Sequence, residues 1–392
     1  MSDKPLHLPF LDAFRGLAIF AVFLFHALGI AFGIDHLPWN GLVRDFKAVP
    51  YFLAFYPLTY GSAGVAAFFV ISGFCIHLSH ARNPEPGWLK FFCRRFFRIY
   101  PPYLLALLIF FFVWPWGDFS IKSQWRLEQF VSHVLAIHNF NERTCFGING
   151  SFWSIAVEIQ LYALYPVLIW LVQRCGWRVA LAIIGLIEVS INSIVAVHGV
   201  ISSQELPYFM TFSPLAFWLS WTIGAYMAEC YLTDRKSPIA RMRFDVMALI
   251  AVASPLFRPT APFAFLAFSL LTGVAIERFL SGAWPIPRGL VPGKLWLHFG
   301  RLGVLSYSFY LLHQPFLPIG ASILGYLFPN SEYRLLIAMA GCLGCYFPIL
   351  WLSNAFYNVV ERPSISVGKF VLHKIQPARQ AIEPSQQPFT TT

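Results

Sequence analysis

Apolar runs long enough to cross a bilayer, counted at about 20 residues for a hydrocarbon core of about 30 Å, recur along almost the whole of this chain. They lie near 11–33, 60–80, 100–114, 130–146, 152–173, 179–198, 209–231, 245–257, 262–280, 299–327 and 334–358. A soluble helix needs only one apolar stripe, so runs of this length and number exclude a soluble domain. With 57% hydrophobic and 12% charged residues, the expected fold class is an all-α integral membrane protein. The run near 130–146 carries His133, His138, Asn139 and Glu142 and is expected to form a partly buried loop or interfacial helix. That leaves about ten transmembrane helices.

A net charge of +10 would suit nucleic acid if it were clustered on one surface, but the basic residues sit in short connectors between apolar runs. There they set orientation. With the N-terminus inside, the outer basic residues are Arg44, Lys47, Lys122, Arg126, Arg143, Arg258 and Arg334, and the other 21 of 28 fall on the cytosolic side. Both termini are therefore expected in the cytosol, with residues 1–375 as one membrane domain. Residues 376–392, rich in Gln, Pro, Ser and Thr, should be a disordered cytosolic tail. The first run is expected to be retained, since no small-residue cleavage pattern follows it. The seven cysteines are scattered. Cys342 and Cys345, spaced C-x-x-C inside an apolar run, read as packing residues, and no disulfide framework or metal site is indicated.

Ionisable residues inside a span are costly and usually face a cavity or a partner. On the first run, at about 1.5 Å and 100° per residue, His26 lies roughly 16 Å beyond Arg15 on nearly the same face, which Asp12 shares. This stripe is the first functional candidate.

Six motifs follow in order. They are Arg15 and His26 as an Arg-x10-His pair; Gly64 to Phe74, reading G-V-A-A-F-F-V-I-S-G-F; and Arg94 to Pro101, reading R-R-F-F-R-I-Y-P. Trp153 to Tyr162 reads W-S-I-A-V-E-I-Q-L-Y, Ser306 to Pro315 reads S-Y-S-F-Y-L-L-H-Q-P, and Tyr357 to Pro363 reads Y-N-V-V-E-R-P. From about Leu11 to Pro363 the chain thus resembles acyltransferase family 3, a family of membrane O-acyltransferases. One departure is Ala66, where many relatives carry Asp or Gln.

The resemblance implies transfer of an acyl group, often acetyl, from cytosolic acyl-CoA to a carbohydrate or glycolipid hydroxyl across the cytoplasmic membrane. Acyl-CoA is then a co-substrate, with no tightly bound cofactor and no nucleic-acid partner. Arg95 and Arg98, the R-x-x-R pair, are expected to meet the CoA phosphates, for which guanidinium supplies permanent charge and paired donors. Ser72 and Gly73 would let the donor approach closely. His26, about 22 Å up its helix, is the candidate base, with Glu158 as the neighbour that orients it and Arg15 lining the same cavity. A second path has His26 take the acyl group itself. Asn149, Ser151 and Trp153 at the outer mouth, with His313 at the depth of His26, are the candidate acceptor contacts. The alternative from another class is a proton-coupled transporter or flippase that uses the buried Arg, His and Glu as a relay. Internal repeats would favour it, and the sequence carries none.

Overall fold

The first apolar run folds as α1 (Pro9–Phe32), and much of the bundle is arranged around it. Proline at its first turn loses nothing, because that N–H has no intrahelical partner, and Asp12 in the same turn complements the helix dipole. The structure, a computed structural model, describes residues 7–33, 52–82, 87–113, 125–202, 206–286 and 290–375. The expected tail at 376–392 and the expected outer residues Arg44, Lys47 and Lys122 lie outside these. No strand occurs among the described residues.

After a 3-10 segment, Tyr56–Ser62, come α2 (Ala63–Ala81) and α3 (Trp88–Leu108), the latter extended by a π turn at Ile109–Val113. Then follow α4 (Trp125–Val134), α5 (Phe152–Ile201), α6 (Trp218–Leu232), α7 (Phe244–Ala253) and α8 (Ala264–Leu280). The chain continues through α9 (Leu290–Val304), α10 (Ser306–Leu327), α11 (Arg334–Gly344) and α12 (Tyr346–Phe356). A π turn at Tyr357–Glu361 leads into α13 (Arg362–Ile375). Six helical stretches among the described residues are long and apolar enough to cross a membrane: 9–32, 56–81, 88–113, 152–201, 261–280 and 334–374. This is a multi-pass membrane protein, and apolar side chains such as Leu186, Trp351 and Val359 point outward from it.

Several expected boundaries shift for local reasons. The runs 152–173 and 179–198 form one helix interrupted at Gly176, whose φ of 75° is a conformation open to glycine. The run 299–327 divides at Leu305 into α9 and α10. The run 209–231 is broken by Ser213 and Pro214 before α6 begins. The run 100–114 starts twelve residues earlier at Trp88, so the basic Arg94–Arg98 segment is part of α3 and not a loop.

Close crossings hold the bundle. A Cβ on Gly16 would meet the Phe299 carbonyl at 1.9 Å, and one on Gly303 the Asp12 carbonyl at 1.7 Å, which locks α1 to α9. Likewise α2 and α6 meet through Gly73 and Gly224, where an added Cβ would stand 2.1 Å from the Trp221 carbonyl and 1.8 Å from that of Val70. Small residues permitting backbone contact are the usual glue where lipid removes the hydrophobic drive between helices. Gly73, expected beside the donor, has its open side filled by α6.

The segment between α3 and α5 is buried in part. His133 and His138, both fully buried, stack with ring centroids 3.8 Å apart and planes 6° apart. Burial pushes His133 down to about 4, although its Nδ1–H donates to the Gln129 carbonyl. Burial, reinforced by the neighbouring His133 ring, pushes His138 down as well.

Two outcomes are expected. Gly224→Val should lower stability by about 1–3 kcal/mol, as overpacking does, seen as a lower thermal midpoint of the detergent-solubilised protein. Both histidines stay neutral when folded, so above about pH 6.5 they contribute no pH dependence. Between about 6.5 and 4 the unfolded chain binds a proton at position 133 that the folded one refuses, and stability falls by up to about 1.4 kcal/mol per pH unit, with the downward shift of His138 acting in the same direction. The midpoint should drop over that window, less steeply in His138→Phe.

Candidate functional site

On α1, Asp12 and Arg15 are three residues apart and face the same way. The Arg15 guanidinium donates to Asp12 Oδ1 at 3.0 Å and to the Cys75 sulfur at 3.2 Å, and His7 Nε2 donates to Asp12 Oδ2 at 2.6 Å. Held from both sides, Arg15 presents its charge to a cavity of about 100 Å³ between α1, α2, α3, α5 and α10. Arg95 and Arg98 enter the same cavity from α3, Ser72 from α2, Glu158 and Tyr162 from α5, and Tyr307 and Tyr310 from α10.

Pro101 leaves the basic end of α3 with a free carbonyl. Pro101 has no N–H, so the Phe97 carbonyl four residues back is left without its helical partner, and Ser364 Oγ of α13 donates to it. This bond ties the basic stretch of α3 to α13. Phe91 lies 5.8 Å from the Arg95 guanidinium, while Arg95 Nε is buried with no hydrogen-bond partner. Neither Arg95 nor Arg98 forms an ion pair among the described residues. The carboxylates nearby are held by hydroxyls. Glu158 Oε1 accepts from Ser72 Oγ at 2.7 Å and from Tyr162, one helical turn on, and Trp221 Nε1 donates to Ser72 Oγ at 3.3 Å. Glu361, in the π turn before α13, accepts from Ser308 Oγ at 2.7 Å.

Farther along α1 and α10, His26 Nδ1 and His313 Nε2 lie 2.8 Å apart. Tyr310 joins the two levels. Its ring meets Phe68 of the cavity wall at 6.1 Å and His313 at 5.6 Å, and its hydroxyl is 2.6 Å from Ser154 Oγ. Beside them Pro315 frees the Leu311 carbonyl, and Asn149 Nδ2 donates to it at 3.0 Å. Asn149 Oδ1 accepts from the Ser151 backbone N–H at 3.1 Å and from Ser151 Oγ at 2.8 Å.

Of the residues picked from sequence, Arg15, Ser72, Arg95, Arg98 and Glu158 share the cavity, and His26 and His313 form a pair beyond it. Four of the expected residues make their contacts within the chain. Glu158 is bound to Ser72 and Tyr162, so the hydrogen-bonded neighbour of His26 is His313. Asn149 and Ser151 are 3% and 0% exposed, with their polar atoms hydrogen-bonded within the chain. Gly73 packs on α6. Trp153 is half-buried against Phe212 and Phe217. Sequence reading missed Tyr162, Tyr307 and Tyr310 and the sulfur of Cys75. Tyr162 had a signal, since it stands one helical turn from Glu158 within a quoted motif.

Compared with known proteins, residues 8–354 match the model of acyltransferase family 3, described as an acyltransferase domain. No curated protein and no solved structure matches the chain.

Asn149→Ala should leave the Leu311 carbonyl buried and unpaired, which costs about 1–3 kcal/mol. A thermal midpoint equal to that of the parent would show that this tether does not hold the loop to α10.

Proposed function

The chain belongs to acyltransferase family 3, and from that premise we propose a membrane O-acyltransferase that moves an acyl group, most simply acetyl, from cytosolic acyl-CoA to a carbohydrate hydroxyl. The acceptor, a polysaccharide or glycolipid, lies on the extracytoplasmic side of the cytoplasmic membrane. Ten spans with both termini in the cytosol belong to the same proposal, which turns the arginine end of the bundle to the donor and residues 141–151 to the acceptor.

The observation that carries this reading is the arrival at one cavity of two guanidiniums, Arg95 and Arg98, with no ion-pair partner among the described residues. A charge held against apolar walls is costly until a counter-ion meets it. The CoA phosphates are such counter-ions, and Arg95 Nε, still without a partner, is a donor free to reach one. Arg15, already paired with Asp12, lines the cavity as fixed positive potential. Ser72 holds Glu158 and helps shape the wall. The pantetheine arm of the donor then runs past Tyr310 towards His26, which takes the proton of the acceptor hydroxyl. Trp153 offers an aromatic face to the sugar on the outer side.

Purified protein incubated with labelled acetyl-CoA should release or transfer the label. Arg95→Ala and Arg98→Ala should each weaken CoA binding by about 10- to 100-fold, the worth of a charged hydrogen bond. His26→Ala should bind CoA as the parent does and lose transfer by about 10²- to 10⁴-fold. Parental CoA affinity in both arginine variants would overturn the donor assignment. Absence of any thioester turnover, together with solute uptake driven by a pH gradient, would replace the whole reading with a transporter.

A further inference from the structure

Two backbone carbonyls, those of Phe309 at 3.2 Å and Tyr310 at 2.9 Å, face Nδ1 of His313. A carbonyl only accepts, so Nδ1 of His313 carries the proton and, in the neutral ring, Nε2 carries the lone pair. That lone pair faces Nδ1 of His26 at 2.8 Å. Two lone pairs cannot bond, so Nδ1 of His26 carries its proton and Nε2 of His26 is the bare nitrogen. No partner for that Nε2 occurs among the described residues. Phe309 stacks on the His313 ring at 5.9 Å, and Phe25 meets His26 edge-on at 5.5 Å, so both rings are also held by packing.

Resting on the acyl-transfer reading, we infer that His313 is a positioning residue that fixes His26 as its Nδ1–H tautomer and thereby makes Nε2 of His26 the working base. The acceptor O–H proton passes to Nε2 of His26. The acceptor oxygen bonds to the thioester carbonyl carbon, the C–S bond breaks, and the proton returns from Nε2 to the departing CoA sulfur. While Nε2 holds it, His26 is an imidazolium whose Nδ1–H bond to His313 becomes charge-assisted and stronger. His313, anchored to two carbonyls of its own helix, does not turn away. The usual orienting group for a histidine base is a carboxylate, as in serine hydrolases. A neutral imidazole does the same work without fixing a negative charge at this depth, where one is costly.

The test compares His313→Gln, whose side-chain carbonyl can accept from His26 near the position of Nε2, with His313→Leu, which cannot accept. His313→Leu should lower kcat by about 10²- to 10⁴-fold with the KM for acetyl-CoA near that of the parent, and His313→Gln should recover at least tenfold over it. ¹⁵N solid-state NMR of histidine-labelled parent protein, with His26 assigned by the signals lost in His26→Ala, reads the tautomer without catalysis or a His313 variant. It should report His26 protonated on Nδ1 and bare on Nε2. A proton on Nε2 of His26, equal kcat in His313→Leu and parent, or Gln no better than Leu overturns the inference and leaves the acyl-transfer reading standing. No transfer by the parent overturns that reading and takes this role of His313 with it.

Discussion

Everything about the site follows from the difficulty of keeping a guanidinium among apolar helices. Arg15 is tolerated because Asp12, one turn away on the same helix, takes one of its nitrogens and Cys75 another. Arg95 and Arg98 form no ion pair among the described residues, and they are carried on a helix whose basic end opens into a cavity. The same constraint governs the acids. Glu158 and Glu361 are each hydrogen-bonded by hydroxyls, from Ser72, Tyr162 and Ser308, so neither acid closes an ion pair with Arg95 or Arg98 among the described residues. The site is thus a set of charges individually stabilised by neutral neighbours, with its cations unspent.

Prolines create the opposite problem, unpaired backbone, and the fold turns it to use. Pro101 and Pro315 each strand a carbonyl four residues earlier, and each is met by a side chain from a distant part of the chain, Ser364 in one case and Asn149 in the other. A helix with a proline has a point where another element can be hydrogen-bonded to its backbone. Here those two points fix the basic end of α3 and the histidine-bearing turn of α10.

This arrangement explains what could be read from sequence and what could not. The apolar helices, six of them long enough to span, were legible because length and apolarity are properties of a window, and the Asp12–Arg15 pairing because helical period is local. The division at Leu305 was not, since both halves are equally apolar. The partnership of His26 and His313 joins residues 287 apart, and no periodicity reaches so far, so the nearest plausible carboxylate, Glu158, stood in for the true neighbour. Asn149 and Ser151 looked like residues of a binding mouth because polar side chains beside a span invite that reading. Asn149 bonds the Leu311 carbonyl that Pro315 frees, more than 160 positions away. The basic end of α3 was read as a connector because charge argues against a span, whereas helix propensity does not distinguish the two.

The Asn149 tether has a mechanical corollary. It grips α10 at Leu311, two positions before His313, while its other end is built into the segment that leads to α5. The segment before α5 and the turn that carries the second imidazole are therefore joined by a direct bond, so displacing either one strains the other.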